Sequence, residues 1–215
     1  MSKKRLYSIL FLCVFTFIIM TNWFVQIING KMPYLDQWTR ALVDTLADTN
    51  IFMVSRWITE LGSASFLVPF TLLMSICFWW LFHEWITPLL FALGTLISHY
   101  MNVIIKMLVS RERPRIFTEA NAEGYSFPSG HAMISLVCYG LFTYFITEKI
   151  SSKKLKLCVN LASAILIFII GMSRFIINVH YLTDVLTGFM FGFIMLIVII
   201  YIHKYVVHRF LNKQM

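Results

Sequence analysis

Acidic residues are few in this chain, ten Asp and Glu in 215 positions, and charge of either sign is scarce at 13%. A soluble domain of this length carries a far more polar surface, so that class is excluded. Cysteine is limited to Cys13, Cys77, Cys138 and Cys158, each inside an apolar run. With none in an outer loop, a disulfide framework is not expected, and the redox compartment stays open. No Ala-x-Ala cleavage pattern follows the first apolar run, so an uncleaved helix is expected there rather than a signal peptide. There is no internal repeat, low-complexity tract or linker long enough to divide the chain, and a single domain over residues 1–215 is expected.

What is present is hydrocarbon. The chain is 59% hydrophobic with a mean hydropathy of +0.77, and a bilayer core about 30 Å thick needs about 20 apolar residues per helical crossing. Six runs meet that length, near residues 6–28, 66–82, 85–108, 131–147, 157–177 and 183–203. The expected fold is all-α: a polytopic bundle of six transmembrane helices.

Six spans put both termini on one side, with the His83–Glu84 connection and the loop from Glu148 to Lys156. That side holds Lys3, Lys4, Arg5, Lys149, Lys153, Lys154, Lys156, Lys204, Arg209 and Lys213 against Glu84 and Glu148, which accounts for the whole formal charge of +8. The positive-inside bias assigns it to the cytoplasm. The basic character is thereby explained by topology, and no nucleic-acid partner is implied. Histidines 203 and 208 fall at this inner end, where solvent or headgroups are the expected surroundings.

The first outer segment, residues 29–65, repeats Leu35, Trp38, Leu42 and Leu46 at helical spacing, with Asp36, Arg40, Asp44 and Asp48 largely on another face. It reads as a short amphipathic helix in the outer interface, bracing the bundle.

Other polar residues gather at the outer helix ends. Lys106 closes the third span, and Arg113-Pro114 follows it. The fourth span opens on Pro128, Ser129, Gly130 and His131, poor residues with which to enter lipid. The fifth ends at Ser173-Arg174, with His180 and Asp184 beyond, and on a helix those two would share a face at i,i+4. Taken singly, a Lys or Arg at a helix end most often snorkels to the headgroups. Together, Lys106, Arg113 and Arg174 surround a helix N-terminus, whose free N–H groups and dipole favour an anion. That combination fits a phosphate. Gly130 would let the backbone approach an oxyanion, and Ser129 could offer its hydroxyl or its amide. A neutral His180 held by Asp184 could attack phosphorus while a protonated His131 gives its proton to the leaving oxygen.

K-x6-RP (Lys106 to Pro114), PSGH (Pro128 to His131) and SR-x5-H-x3-D (Ser173 to Asp184) together resemble the three-part signature of the type 2 phosphatidic acid phosphatase superfamily. Small size and topology are most similar to its bacterial phosphatidylglycerophosphatase and undecaprenyl-diphosphate phosphatase branch, and the stretch from Ile58 to Pro69 resembles the segment before the second helix in those members. The resemblance implies a six-helix, metal-independent membrane lipid phosphatase without a cofactor. It implies phosphate binding by Lys106, Arg113, Ser129, Gly130 and Arg174, acid/base work by His131, attack by His180 and orientation by Asp184. The implied substrate is a membrane lipid phosphate, the implied place a bacterial plasma membrane with the site on the outer face, and no obligate protein partner is evident.

His99 and Asn102 lie at helical spacing from Lys106 and are expected to line the lower cavity, or else to bond between helices. Gly188 and Gly192 are expected to permit close helix packing. A lipid-phosphate transporter, a haloperoxidase-like enzyme and a nonspecific membrane-anchored phosphatase are the alternatives. A metal hydrolase is weaker, since phosphate-processing metal sites usually gather several carboxylates.

Overall fold

A computed structural model describes residues 3–46, 49–114 and 124–210. Among them the regular structure is helical throughout: α1 (Lys3–Ile28), α2 (Tyr34–Leu46), α3 (Asn50–Glu60), α4 (Ala64–Phe82), α5 (Ile86–Val109), α6 (Gly130–Lys149), α7 (Lys153–Ile176) and α8 (Leu182–Phe210). Helices α4 to α8 are each long and apolar enough to cross a membrane, and α1 carries the apolar stretch Val14–Ile28. The chain is a multi-pass membrane protein, and the six expected runs coincide with α1 and α4–α8.

Caps mark the turn between α4 and α5. His83 ends α4 in the left-handed region at φ 55°, and the Glu84 carboxylate takes the N–H groups of Ile86 and Thr87 at the start of α5. Orphan donors at a helix start are satisfied in this way, with the anion at the positive end of the dipole.

Helix α6 lies between α5, α7 and α8 and supplies half of the largest buried apolar cluster. Its residues Val137, Leu141 and Phe145 are buried with Phe78, Phe91 and Ile170. Phe78 meets Phe91 and Phe145 edge to face, with centroids 5.2 and 5.6 Å apart, the arrangement that suits aromatic quadrupoles. Leu72 and Ile76 of α4 and Ile165 and Phe168 of α7 face outward, as lipid contact requires. Close approach of α8 to α6 depends on two glycines, as expected. A Cβ on Gly188 would lie 2.6 Å from the Ser129 carbonyl oxygen, and one on Gly192 would lie 2.7 Å from that of Met133.

The outer segment departs from expectation. It forms two helices, because Thr49 accepts the Phe52 N–H and starts α3 afresh. In α2 the face with Trp38 and Leu42 is exposed, whereas Asp36, Thr39 and Val43 turn inward and are buried. Arg40 and Asp44 are exposed, and Asp48 lies outside the described residues. The outward Tyr34, Trp38 and Trp57 suit the headgroup region of a bilayer.

Candidate active site

The PSGH segment starts α6. Ser129 is its N-cap residue, and the Ser129 amide donates to the Asp184 carbonyl oxygen at 3.0 Å, which ties the start of α6 to the start of α8. Of the two groups that sequence offered to an anion, the amide is therefore already used. The Ser129 hydroxyl is fully buried and has no hydrogen-bond partner. Gly130 matters first for packing, since a Cβ there would stand 2.9 Å from Asn102 Oδ1.

Asn102 is buried on α5 and donates from Nδ2 to the Pro128 carbonyl oxygen at 3.2 Å, fixing the PSGH turn from below. His99 does not join it. It is exposed on the outer surface of α5, edge-on to Tyr100, while Ser98 takes the inward position. One residue is about 100° of helix rotation, enough to move His99 from the cavity to the lipid side.

The three cations arrive from three elements. Lys106, on the last turn of α5, donates to the Tyr125 carbonyl oxygen at 2.6 Å. Arg113, in the loop after α5, donates from Nε to Gly124 O and from Nη1 to Val179 O, and its Nη1 lies 3.2 Å from His180 Nε2. Arg174, on the last turn of α7, is buried and donates from Nη1 to the Thr59 hydroxyl at 3.0 Å, leaving a buried Nε without a partner. Thr59 and Gly62 belong to the Ile58–Pro69 stretch, whose purpose is thus visible: Thr59 aims Arg174, and Gly62 leaves room for His131, whose Cδ2 a Cβ would approach to 2.9 Å.

His180 and Asp184 meet, though not along one helix. His180 lies in the turn before α8, where its N–H and that of Val179 both bond the Arg174 carbonyl oxygen. Asp184, in the first turn of α8, accepts the Tyr181 N–H on Oδ2 at 2.9 Å. This capping turn, rather than a helical i,i+4 face, brings Asp184 Oδ2 to 3.6 Å from His180 Nδ1. That separation is longer than a hydrogen bond, and catalytic contacts of this kind tighten when substrate is bound. With Nε2 accepting from Arg113, the proton of a neutral ring sits on Nδ1, facing Asp184. Burial, then the charge of Arg113, with Arg174 and Lys106 behind it, hold His180 well below the ordinary imidazole pKa. The ring is thereby neutral at pH 7. Burial also lowers the pKa of Arg113. His131 stands within electrostatic reach of His180, Arg174, Lys106 and Arg113.

Arg111, Asp36 and Thr183 were not singled out from sequence. Arg111 forms ion pairs with both Asp36 and Asp184. A signal existed: in Arg111-Glu112-Arg113 an extended chain sends alternate residues to one side, and Glu112 is indeed exposed between two partly buried arginines. Among the described residues no group of three or more His, Cys, Asp and Glu is arranged to hold a metal.

A helix N-terminus flanked by Lys106, Arg113 and Arg174, with two histidines and one carboxylate at the same end of a polytopic bundle, defines a membrane protein built around an oxyanion site. The chain belongs to the PAP2 superfamily of phosphatases, whose family model matches residues 85–208. Phosphatidylglycerophosphatase B of Bacillus subtilis (strain 168) is 31% identical over 144 residues, 66% of this chain and 70% of that protein. Dolichyldiphosphatase of Saccharomyces cerevisiae is 29% identical over 156 residues, 67% of this chain and 64% of that one. In structure, the transmembrane PAP2-type phosphatidylglycerolphosphate phosphatase of Bacillus subtilis matches with a TM-score of 0.77 at 23% identity, over 88% of this chain and 96% of that one. Aquifex aeolicus LpxE matches with a TM-score of 0.53 at 20% identity, over 84% and 93%. These two likenesses establish the fold.

Proposed function

We propose that the protein removes the terminal phosphate from a lipid phosphate or diphosphate at the outer membrane face, through a phosphohistidine intermediate and without a metal. The observation that carries this reading is the placing of His180: its Nε2 faces the Arg113 guanidinium, and Asp184 lies behind Nδ1.

In the first step His180 Nε2 attacks phosphorus, the bond from phosphorus to the ester or bridging oxygen breaks, and His131 gives that oxygen a proton. In the second, neutral His131 takes a proton from water as the water oxygen attacks phosphorus, the P–N bond breaks, and inorganic phosphate leaves. Asp184 steadies the positive imidazole in between. Lys106, Arg113 and Arg174 face the equatorial oxygens, and the Ser129 hydroxyl supplies a further donor. One such donor is worth about 3 to 4 kcal/mol in the transition state. These cations supply the charge that a metal would otherwise bring.

Phosphatidylglycerol phosphate is the leading substrate and undecaprenyl diphosphate the next, since the relatives at hand carry phosphatidylglycerophosphatase and polyprenyl-diphosphatase names. Comparing kcat/KM for these two, phosphatidate, diacylglycerol diphosphate and a soluble phosphate ester in mixed micelles tests the reading. A lipid should exceed the soluble ester clearly; equality would reduce the assignment to a membrane-anchored nonspecific phosphatase. The outer-face placement, in a bacterial plasma membrane with both termini in the cytoplasm, rests on the charge distribution. In a cysteine-free background, Asp44→Cys should react with an impermeant thiol reagent in intact cells and Lys154→Cys should not; the reverse would put the site inside.

A further inference from the structure

In the Asp36–Arg111–Asp184 cluster, Asp36 and Arg111 have no part in that mechanism, yet their charges are buried with that of Asp184. The Arg111 side chain is 9% exposed and both carboxylates 0%. Arg111 Nη2 donates to Asp36 Oδ2 at 2.7 Å. Its Nη1 donates to Asp184 Oδ1 and, at 2.9 Å, to the Thr183 hydroxyl. The guanidinium lies over the Tyr181 ring, 3.9 Å from the centroid. Asp36 in turn accepts the Thr183 N–H at 3.0 Å and the Thr183 hydroxyl at 2.6 Å. Buried charges persist only when paired in this way.

We infer that Asp36 and Arg111 are positioning residues, which set how much of the Asp184 carboxylate is left for His180. The inference rests on the reading of His180 as nucleophile. An arginine fork takes a carboxylate through both oxygens whenever it can. Here Asp36 holds Nη2, so Asp184 is gripped through Oδ1 alone. Oδ2 keeps its place beside His180 Nδ1, steadied by the Tyr181 N–H. Two carboxylates and one guanidinium also leave one net negative charge behind His180. The nearer groups around that ring are cationic or neutral: Lys106 of α5, Arg113 of the next loop, His131 of α6, Arg174 of α7 and Tyr181. Beyond it a cavity of about 80 Å³ brings Asp36, Arg40 and Asp44 of α2 to the same side. Helix α2, placed by sequence as a brace, thus reaches the reaction through Asp36.

The test uses full-length protein in detergent micelles with Asp36→Asn, Arg111→Met and Arg111→Lys. The pH profile of kcat/KM is measured together with the ¹³C-histidine NMR titration of His180, its signal assigned by loss in His180→Asn. Removing the Asp36 charge should move the His180 midpoint and the acid limb to lower pH. Removing the Arg111 charge should move both to higher pH. In each, kcat should fall roughly tenfold with KM nearly unchanged. Arg111→Lys, which keeps the charge without the fork, should restore part of the kcat and leave the midpoint near wild type. Shifts of one sign in both charge-removing variants, or unmoved midpoints with losses that track melting temperature, overturn the inference. So does a lysine variant no better than methionine. Opposite shifts in a protein that forms no phosphohistidine from ³²P-labelled substrate would sustain the network and sink the nucleophile reading instead.

Discussion

Two histidines are buried at opposite ends of this bundle, His203 near the start of α5 and His180 in the turn before α8. His203 bonds the Thr87 hydroxyl through Nε2 at 3.0 Å and packs edge-on to Tyr144 and Phe145, 5.9 and 4.8 Å away. Solvent or headgroups are what the sequence leads one to expect around it; instead its ring turns inward between α5 and α6, and it is 4% exposed. His180 is as buried, at 2%, but its neighbours are a guanidinium, a carboxylate and two more cations from separate helices. Burial is common to both. Among the described residues, charges that suit one anion converge at the end that holds His180, and that separates a satisfied interhelical histidine from a candidate for reaction.

The largest effect expected from this contrast is on turnover. His180→Asn should abolish hydrolysis of every substrate, by at least about 10³-fold, because no other side chain is placed to attack phosphorus. His203→Phe should leave kcat/KM within about twofold and lower thermal stability instead, by about 1 to 3 kcal/mol, since it strands the Thr87 hydroxyl. Paired assays and melts in one detergent check both. A comparable loss of activity in the two would erase the distinction.

His131 sharpens the outer site next. His131→Ala should lose far more activity on alkyl and lipid phosphates than on phenolic esters, whose leaving groups need little protonation. Equal losses on the two kinds of ester would remove its role as acid.

Most of this site is legible in sequence because its cations and histidines stand at fixed short spacings within three stretches. Helix formation converts such spacings into geometry with little freedom, and the hydrophobic runs place those stretches at one membrane side. What is not legible depends on long-range pairing. Asp36 meets Thr183 across 147 positions, and on α2 its inward face, Asp36–Thr39–Val43, is less apolar than the outward one. In lipid that order is sensible, since the polar face seeks the buried cations while Trp38 and Leu42 meet the bilayer. His99 was misplaced by a single residue of rotation. His180 and Asp184 come within 3.6 Å through a capping turn instead of a helical face.

Packing gives a smaller and separable effect. Gly188→Ala forces a Cβ toward the Ser129 backbone oxygen, which can move only by shifting the start of α6. It should cost about 1 to 3 kcal/mol and lower kcat as His131 and Ser129 are displaced. Gly171→Ala meets the Phe189 ring first, a side chain able to rotate away. It should cost less and spare kcat. Melting temperature and kcat measured side by side decide it, and equal damage from both substitutions would contradict the claim that Gly188 keys the active end.

The smallest effect concerns pH and stability. A histidine held neutral by burial and by Arg113 binds its proton in the unfolded chain first, near pH 6.5, and in the folded chain only well below that. As pH falls below 6.5 the unfolded state gains the proton and the folded state does not, so stability declines until the folded-state pKa is reached. Each pH unit within that window costs about 1.4 kcal/mol for one group. His180→Asn removes this contribution. Between pH 7.5 and 5.5 the wild type should therefore lose about 1 kcal/mol more than the variant, a difference of roughly 2 to 4 °C in Tm for a chain of this size. The comparison is made by melting both proteins in the same phosphate-free micelles, because a bound anion would restore the proton. If wild type and His180→Asn lost the same stability over that interval, His180 would not be held neutral by its surroundings. The contrast with His203 would then rest on geometry alone.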